Sequence, residues 1–272
     1  MNTAQVTPPP GERVGKLPGQ GRSLTPDPAA TPGPTLQTPR GPVVETRRSF
    51  DEQQQEIRAE VVKLAAKGCE QIGAATHALL DADLPLVDRI YAAHGEIESL
   101  VLRVEQQVYQ LFALQQPMAS DLRTLLAILR ILHEIELTAG LMRNVARATR
   151  RLYPRELPPR IRGIIERMGA QAGVQTRLAV DAFADEDAAI ATALPDMDDV
   201  MDDLQKELFR AIFAGFAGPV DEAALQMAVQ LAFVGRDYER AADHAVMIGR
   251  WVSFMVTGAL PGDSESSEHG FR

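Results

Sequence analysis

Apolar residues recur every three or four positions through most of the chain between Arg47 and Leu260. Leu122, Leu125, Leu129 and Leu132 follow this spacing, and so do Leu204, Leu208, Ile212 and Phe216. It is the period of a helix with one buried face, and the alternation expected of a half-buried strand is scarce. Prolines mark the breaks. Pro85 suits the first turn of a new helix, and Pro117 precedes Ser120 and Asp121, either of which can cap the next one. Pro154, Pro158 and Pro159 bracket a clear interruption, Pro219 follows another, and Pro261 closes the last periodic stretch. The pattern predicts an all-α protein with six helices near 48–81, 85–114, 119–153, 158–185, 188–217 and 220–259. Pro195 falls inside the fifth and should kink it or delay its start.

Ahead of this region the periodicity stops. The first 42 residues hold ten of the eighteen prolines, and residues 1–46 read as a disordered Pro/Gly-rich arm that cannot bury enough surface to offset the entropy of ordering. Residues 261–272 read as a polar tail.

The six helices form two sets of three. A shift of 104 residues carries Ile57, Val61, Leu64 and Leu79 onto Ile161, Ile165, Met168 and Phe183, and Leu100, Val104, Val108 and Phe112 onto Leu204, Leu208, Ile212 and Phe216. After the next loop a shift of 103 carries Leu122, Glu136, Ala139 and Arg147 onto Leu225, Glu239, Ala242 and Arg250. A tandem duplication of a three-helix unit follows, with repeats over 47–155 and 156–260 that together form a six-helix body.

Composition narrows the function. The formal net charge of −9 disfavours general nucleic-acid binding, and no helix-turn-helix with a basic recognition helix stands out. The basic run from Arg143 to Arg155 reads as favourable charge at a helix C-terminus. One cysteine, Cys69, allows no internal disulfide and reads as a small packing residue. No secretory h-region and no apolar run of spanning length is present, so the expectation is a cytoplasmic protein without a membrane span. Five histidines occur, none in a recognisable nucleophile motif, and GxSxG, HExxH and Walker A patterns are missing. The expectation is therefore no enzyme; a metal-dependent hydrolase on clustered carboxylates is the alternative.

Those carboxylates are the feature that needs explaining. In the last helix an apolar stripe through Leu225, Ala228, Ala232, Gly235, Ala242, Val246 and Gly249 also contains Glu239, with Asp243 one turn on. The fifth helix offers Asp198 and Asp202 at the same spacing, and the two helices should lie antiparallel. Arg236 and Arg240 precede Glu239 and Asp243 by three, which allows ordinary surface ion pairs worth about 0.3–0.5 kcal/mol. Four acids on two facing helices also suit a hard or borderline cation, which would offset their repulsion. Both readings stand at this point.

The stretches "QQPMASDLRTLLAILRILHEIE" and "DYERAADHAVMIGRWVSFMVTG" closely resemble the PhoU family of bacterial phosphate-signalling regulators, in an actinobacterial style. The resemblance runs from about Arg47 to Leu260. It implies two three-helix repeats, each with a DxxxD-like motif in its second helix and an ERxxD motif in its third. Asp198 and Asp202 match the first motif, and Glu239, Arg240 and Asp243 the second. The first repeat departs: His94 and Glu98 stand for the aspartates, Glu136 matches, Leu137 replaces the arginine, and Gly140 replaces the last aspartate, with Asn144 one turn on. By resemblance, Asp198, Asp202, Glu239 and Asp243 hold iron as a multinuclear cluster, or another divalent metal. His94, Glu98 and Glu136 form a depleted counterpart. The resemblance further implies a homodimeric negative regulator that couples the ATPase subunit of the phosphate ABC transporter to a sensor histidine kinase.

Overall fold

The computed structural model describes the backbone of residues 42–115, 117–216 and 221–260, with side chains from Ser49 onward. The described residues form seven α-helices and one 3-10 turn, with no strand among them. The helices are α1 (Pro42–Asp81), α2 (Leu84–Gln115), α3 (Ser120–Leu152), α4 (Pro159–Asp185), α5 (Ala188–Ala193), α6 (Asp198–Gly215) and α7 (Glu222–Thr257). Helix α1 starts at Pro42, so residues 42–46 of the expected disordered arm are helical; proline suits a helix start because the first turn has no use for its missing N–H. The rest of that arm and the 261–272 tail lie outside the described residues.

At one helix start a proline interrupts the helix as expected, and at another the expected cap does not form. Pro195 divides the fifth helix, leaving the six-residue α5, a 3-10 turn at Pro195–Met197, and then α6. Helix α3 has Ala119 at its N-cap with φ of 52° and no side-chain cap, so neither Ser120 nor Asp121 takes that position.

The duplication is visible in the turns. Ala82 and Glu186, 104 apart, both adopt left-handed backbone, with φ of 53° and 55°. One residue later the N–H of Asp83 donates to Ala78 O at 3.0 Å, and that of Asp187 to Ala182 O at 2.9 Å, the closure that ends a helix after a left-handed residue. Each aspartate then caps the helix that follows. Asp83 Oδ1 accepts from the Leu86 N–H at 2.8 Å, and Asp187 Oδ1 from the Ala189 and Ile190 N–H groups at 2.8 and 3.1 Å.

The repeats also cap each other. Arg58 of α1 donates to Phe183 O at the end of α4 and pairs with Glu186. Its counterpart Arg162 of α4 donates to Leu80 O at the end of α1 and pairs with Asp81 at 2.7 Å. A cation therefore sits on the unsatisfied carbonyls at each helix C-terminus, where the helix dipole favours it.

The interior consists of two apolar clusters, and each draws on both repeats. One combines Phe50–Ala65 of α1, Ile97–Leu111 of α2 and Leu125–Ala139 of α3 with Ala179–Phe183 of α4 and Ala245–Met255 of α7. The other combines Ile72–Leu79, Val87, Ile90 and Leu141–Leu152 with Ile161–Ala172, Met201–Ile212 and Met227–Ala242. Most helices thus pass from one cluster to the other at a waist. Helix α3 contributes to both along its length and packs most extensively on α7. The inward stripe of α7 is Met227, Leu231, Val234, Tyr238, Ala241, Ala245, Ile248 and Val252, a strict alternation of four and three. The expected stripe runs beside it and is largely inward too, with Gly235, Ala242, Val246 and Gly249 buried and Ala228 and Ala232 packed against the core, but it fails at its start. Leu225 is 57% exposed, and Leu122 of α3 is exposed as well.

Close packing depends on two glycines. A Cβ on Gly249 would lie 2.9 Å from the Ala191 carbonyl oxygen and 2.6 Å from Leu194, and one on Gly169 would meet Thr76, whose hydroxyl lies 2.7 Å from the Tyr238 hydroxyl. Gly249→Ala is expected to lower the free energy of unfolding by about 1–3 kcal/mol, because α5 must move aside. Gly173→Ala, on a helix with open space around that position, should instead stabilise by up to about 1 kcal/mol. Urea denaturation of both variants checks the contrast.

Candidate functional site

Polar side chains collect at the waist. Gln71 lies between the two clusters on α1, His94 between Ile90 and Ile97 on α2, and Gly140 between Ala139 and Leu141 on α3. In the second repeat Gln175 lies between Ala172 and Ala179, Asp198 between Leu194 and Met201, and Asp243 and His244 between Ala242 and Ala245. Positions that the apolar clusters leave free are the ones that carry chemistry.

Asp198 opens α6 and Asp202 follows one turn later, while Glu239 and Asp243 are one turn apart on α7. The four act on one another electrically. Burial raises the Asp198 pKa, and the Asp243 and Asp202 charges raise it further. Glu239 is raised by burial and then by Asp243, with Arg236 opposing. Asp243 is raised by burial and by Asp202, against His244, Arg236 and Arg240. Glu239 is only 13% exposed, and Arg236 Nη1 donates to its Oε1 at 2.8 Å, so the expected ion pair exists. Its other oxygen, Oε2, is buried without a hydrogen-bond partner, and so is Asp198 Oδ1.

The structure adds a residue that sequence reasoning missed. Gln175 of α4 is fully buried, and neither amide atom makes a hydrogen bond of ordinary geometry, the Asp198 carboxyl being the partner its side chain approaches. It adjoins Asp198 and acts to lower that carboxyl's pKa. One turn earlier, Gln171 Nε2 donates to Met197 O at 3.1 Å, which fixes α4 against the start of α6. The signal was available in the repeat, since the 104-residue shift carries Gln71 onto Gln175.

The first repeat is assembled from the corresponding positions. His94 is 4% exposed; its Nε2 lies 3.2 Å from Glu98 Oε1 and its Nδ1 is buried without a partner. Desolvation and the Arg143 charge lower its pKa, while Glu98 and Glu136 oppose them. A Cβ on Gly140 would stand 4.0 Å from His94 Cε1, so the missing aspartate would have pointed at the imidazole. Gln71 Oε1 is buried and unpartnered here too. Asn144, expected as a polar substitute, instead acts on Asp237 of α7, whose pKa it lowers.

Two contacts join the repeats beside these sites. His244 Nδ1 lies 2.6 Å from Glu134 Oε2, a hydrogen bond between α7 and α3. Asp237, which the 103-residue shift relates to Glu134, has its pKa pushed up to about 6 by burial, with Arg240, Asn144 and Arg147 opposing. The basic run at the end of α3 is engaged structurally: Arg150 pairs with Asp88 and stacks on Tyr91, Arg151 donates to Gln230 at 3.2 Å, and Arg155 pairs with Asp221 at 3.4 Å.

The second-repeat donors are all oxygens, the set a hard or borderline cation takes, and two of those oxygens are buried and orphaned. Among the described residues, no three His, Cys, Asp or Glu side chains converge closely enough to hold an ion as they stand. Binding one therefore requires the carboxylates to rearrange.

The PhoU domain matches the chain twice, over residues 61–149 and 165–252. The phosphate-specific transport system accessory protein PhoU homolog 1 of Mycobacterium tuberculosis is 35% identical over 199 residues, 72% of this chain and 87% of that protein. PhoU homolog 2 of the same organism is 32% identical over 216 residues, 79% of this chain and all of that protein. The crystal structure of PhoU from Pseudomonas aeruginosa superposes with a TM-score of 0.73 at 25% identity, covering 77% of this chain and 100% of that one.

Asp237 binds its proton more tightly in the native state than in the unfolded chain. Stability therefore falls as pH rises from about 4 through 6. Asp237→Asn is expected to raise unfolding free energy at pH 7.5 by about 1 kcal/mol, discounted for the solvent that still reaches the group. The gain should vanish by pH 4, as urea denaturation at the two pH values would show.

Proposed function

The chain belongs to the PhoU family, and from that premise we propose that it regulates phosphate uptake and represses the phosphate-starvation response when phosphate is plentiful. The observation that carries this reading is the double match: both three-helix repeats correspond to PhoU domains, and relatives matched over most of their own length are named as accessory proteins of phosphate-specific transport. The proposed partners are the ATPase subunit of the phosphate ABC transporter and a sensor histidine kinase, met in the cytoplasm. No helix among the described residues is long and apolar enough to cross a membrane.

The proposed mode of action is binding, without turnover. A helical body with two shared cores can bias partners between two states only through contacts that differ between those states. Leu225, Val229 and Phe233 are exposed at intervals of four along α7, and Phe213 of α6 is exposed as well. We assign this outward stripe to contact with a second copy of the chain, as a homodimer.

A cation at the second-repeat acids belongs to the same proposal, as iron or another divalent metal. The orphaned Asp198 and Glu239 oxygens support it. When bound, such an ion would supply charge compensation to the four carboxylates. The chain's own part is to hold Asp198 and Asp202 on α6 opposite Glu239 and Asp243 on α7, and to keep Arg236 on the Glu239 oxygen that faces it. The alternative, hydrolysis at this cluster, predicts turnover that vanishes when these acids are changed to Asn or Gln.

Deleting the gene should switch on phosphate-regulated transcription during phosphate excess, and the intact gene should restore repression. Phe233→Glu should yield a folded monomer by light scattering that fails to restore it. Repression that persists without the gene, with no second copy of the gene compensating, would overturn the regulatory reading.

A further inference from the structure

We propose that the groove between α1 and α2 of the first repeat binds an oligophosphate, either an inorganic phosphate chain or the phosphate tail of a nucleotide, through Lys63, Lys67 and Arg103. The site is separate from the acids of α6 and α7 and needs no bound cation.

Two adjoining cavities open along this groove. One, of about 270 Å3, is lined by Lys63, Lys67 and Arg103 together with Glu60, over a floor of Leu64, Leu100 and Val104. The other shares Lys67 and Arg103 and adds Glu96 and Ser99. Lys67 pairs only loosely with Glu96, at 3.5 Å, and among the described residues neither Lys63 nor Arg103 has an ion-pair partner. Three cations from two helices thus line one cleft.

The second repeat resolves the same positions differently. The 104-residue shift carries Lys63 onto Arg167 and Arg103 onto Glu207, and there the two form an ion pair at 2.7 Å between α4 and α6. The shift also carries Lys67 onto Gln171, and Glu60 and Glu96 onto Ile164 and Val200. Positions that attract one another in the second repeat therefore carry like charge in the first. In a chain of net charge −9, this local excess of cations is a focus for an anion, which would relieve their repulsion. Lys63 and Lys67 are one turn apart, about 5–6 Å at Cβ, which suits charge repeated along a chain better than a single point charge. Arg103 adds the planar fork that matches phosphate oxygens. The apolar floor offers a base, where the ligand has one, a surface to lie on.

The test is calorimetric titration of the full chain, stripped of metal beforehand, with tripolyphosphate, ATP and orthophosphate. Tripolyphosphate should bind at least tenfold more tightly than orthophosphate, with an affinity that falls as salt rises. ATP binding more tightly than tripolyphosphate would assign the ligand to nucleotides, and an affinity no higher would assign it to the phosphate chain alone. Arg103→Glu rebuilds with Lys63 the ion pair of the second repeat. It should leave the melting temperature unchanged or raised and weaken tripolyphosphate binding at least tenfold. Arg89→Glu makes the same change of net charge at an exposed position about 20 Å away along α2, and should keep wild-type affinity. A wild-type chain that binds neither tripolyphosphate nor ATP would overturn the proposal, and so would wild-type affinity in Arg103→Glu. Equal weakening in both variants would overturn it too, because only the overall field of the chain would then be responding. If Arg103→Glu does not fold, Lys63→Gln decides in its place by the same criterion.

Discussion

Carboxylates brought together at the edge of a helical interior repel one another and lose hydration, and much of this structure is arranged around that constraint. The second repeat keeps four of them, with two oxygens buried and lacking a hydrogen bond of ordinary geometry, and Arg236 bonded directly to Glu239. The first repeat has relaxed the same constraint by substitution. Gly140 removes one carboxyl, His94 replaces another, and the imidazole Nε2 pairs with Glu98 Oε1 one turn on in its own helix. Corresponding positions of the two repeats thus form two environments, one with four carboxylates and one with two carboxylates and an imidazole.

The frame that holds these sites is common to both repeats. Left-handed Ala82 and Glu186, the caps at Asp83 and Asp187, and the exchange of Arg58 and Arg162 between helix ends all obey the 104-residue shift. The repeats are nevertheless not separate packing units. Each apolar cluster takes residues from both, so the waist between clusters is where polar groups occur with least damage to either core. His244, next to Asp243, and Glu134 then tie α7 of one repeat to α3 of the other.

The fold was legible because helical period and proline spacing are local properties. Five of the six expected helices appear with ends displaced by a few residues, and the sixth is divided at Pro195, a position whose awkwardness was plain in the sequence. The first turn of α7 was not legible. Leu225 continues the apolar spacing of Ala228 and Ala232 as regularly as Met227 does that of Leu231 and Val234, and only the packing leaves Leu225 outside and Met227 buried. The acids at Asp198, Asp202, Glu239 and Asp243 were found because they break an apolar pattern. Gln175 and Gln71 were overlooked because a lone glutamine in a polar-looking stretch breaks nothing. Their burial depends on long-range packing, although the repeat shift already paired them.

The central proposal is that any cation this chain binds is held by the second repeat. Elemental analysis of the purified full chain after exposure to Fe2+ or Mn2+ tests it most directly, by comparing Asp198→Asn/Glu239→Gln with His94→Ala/Glu136→Gln. The account predicts that the first pair of substitutions abolishes bound metal and the second leaves it essentially unchanged. Metal retained by the first pair, or lost through the second, would contradict it.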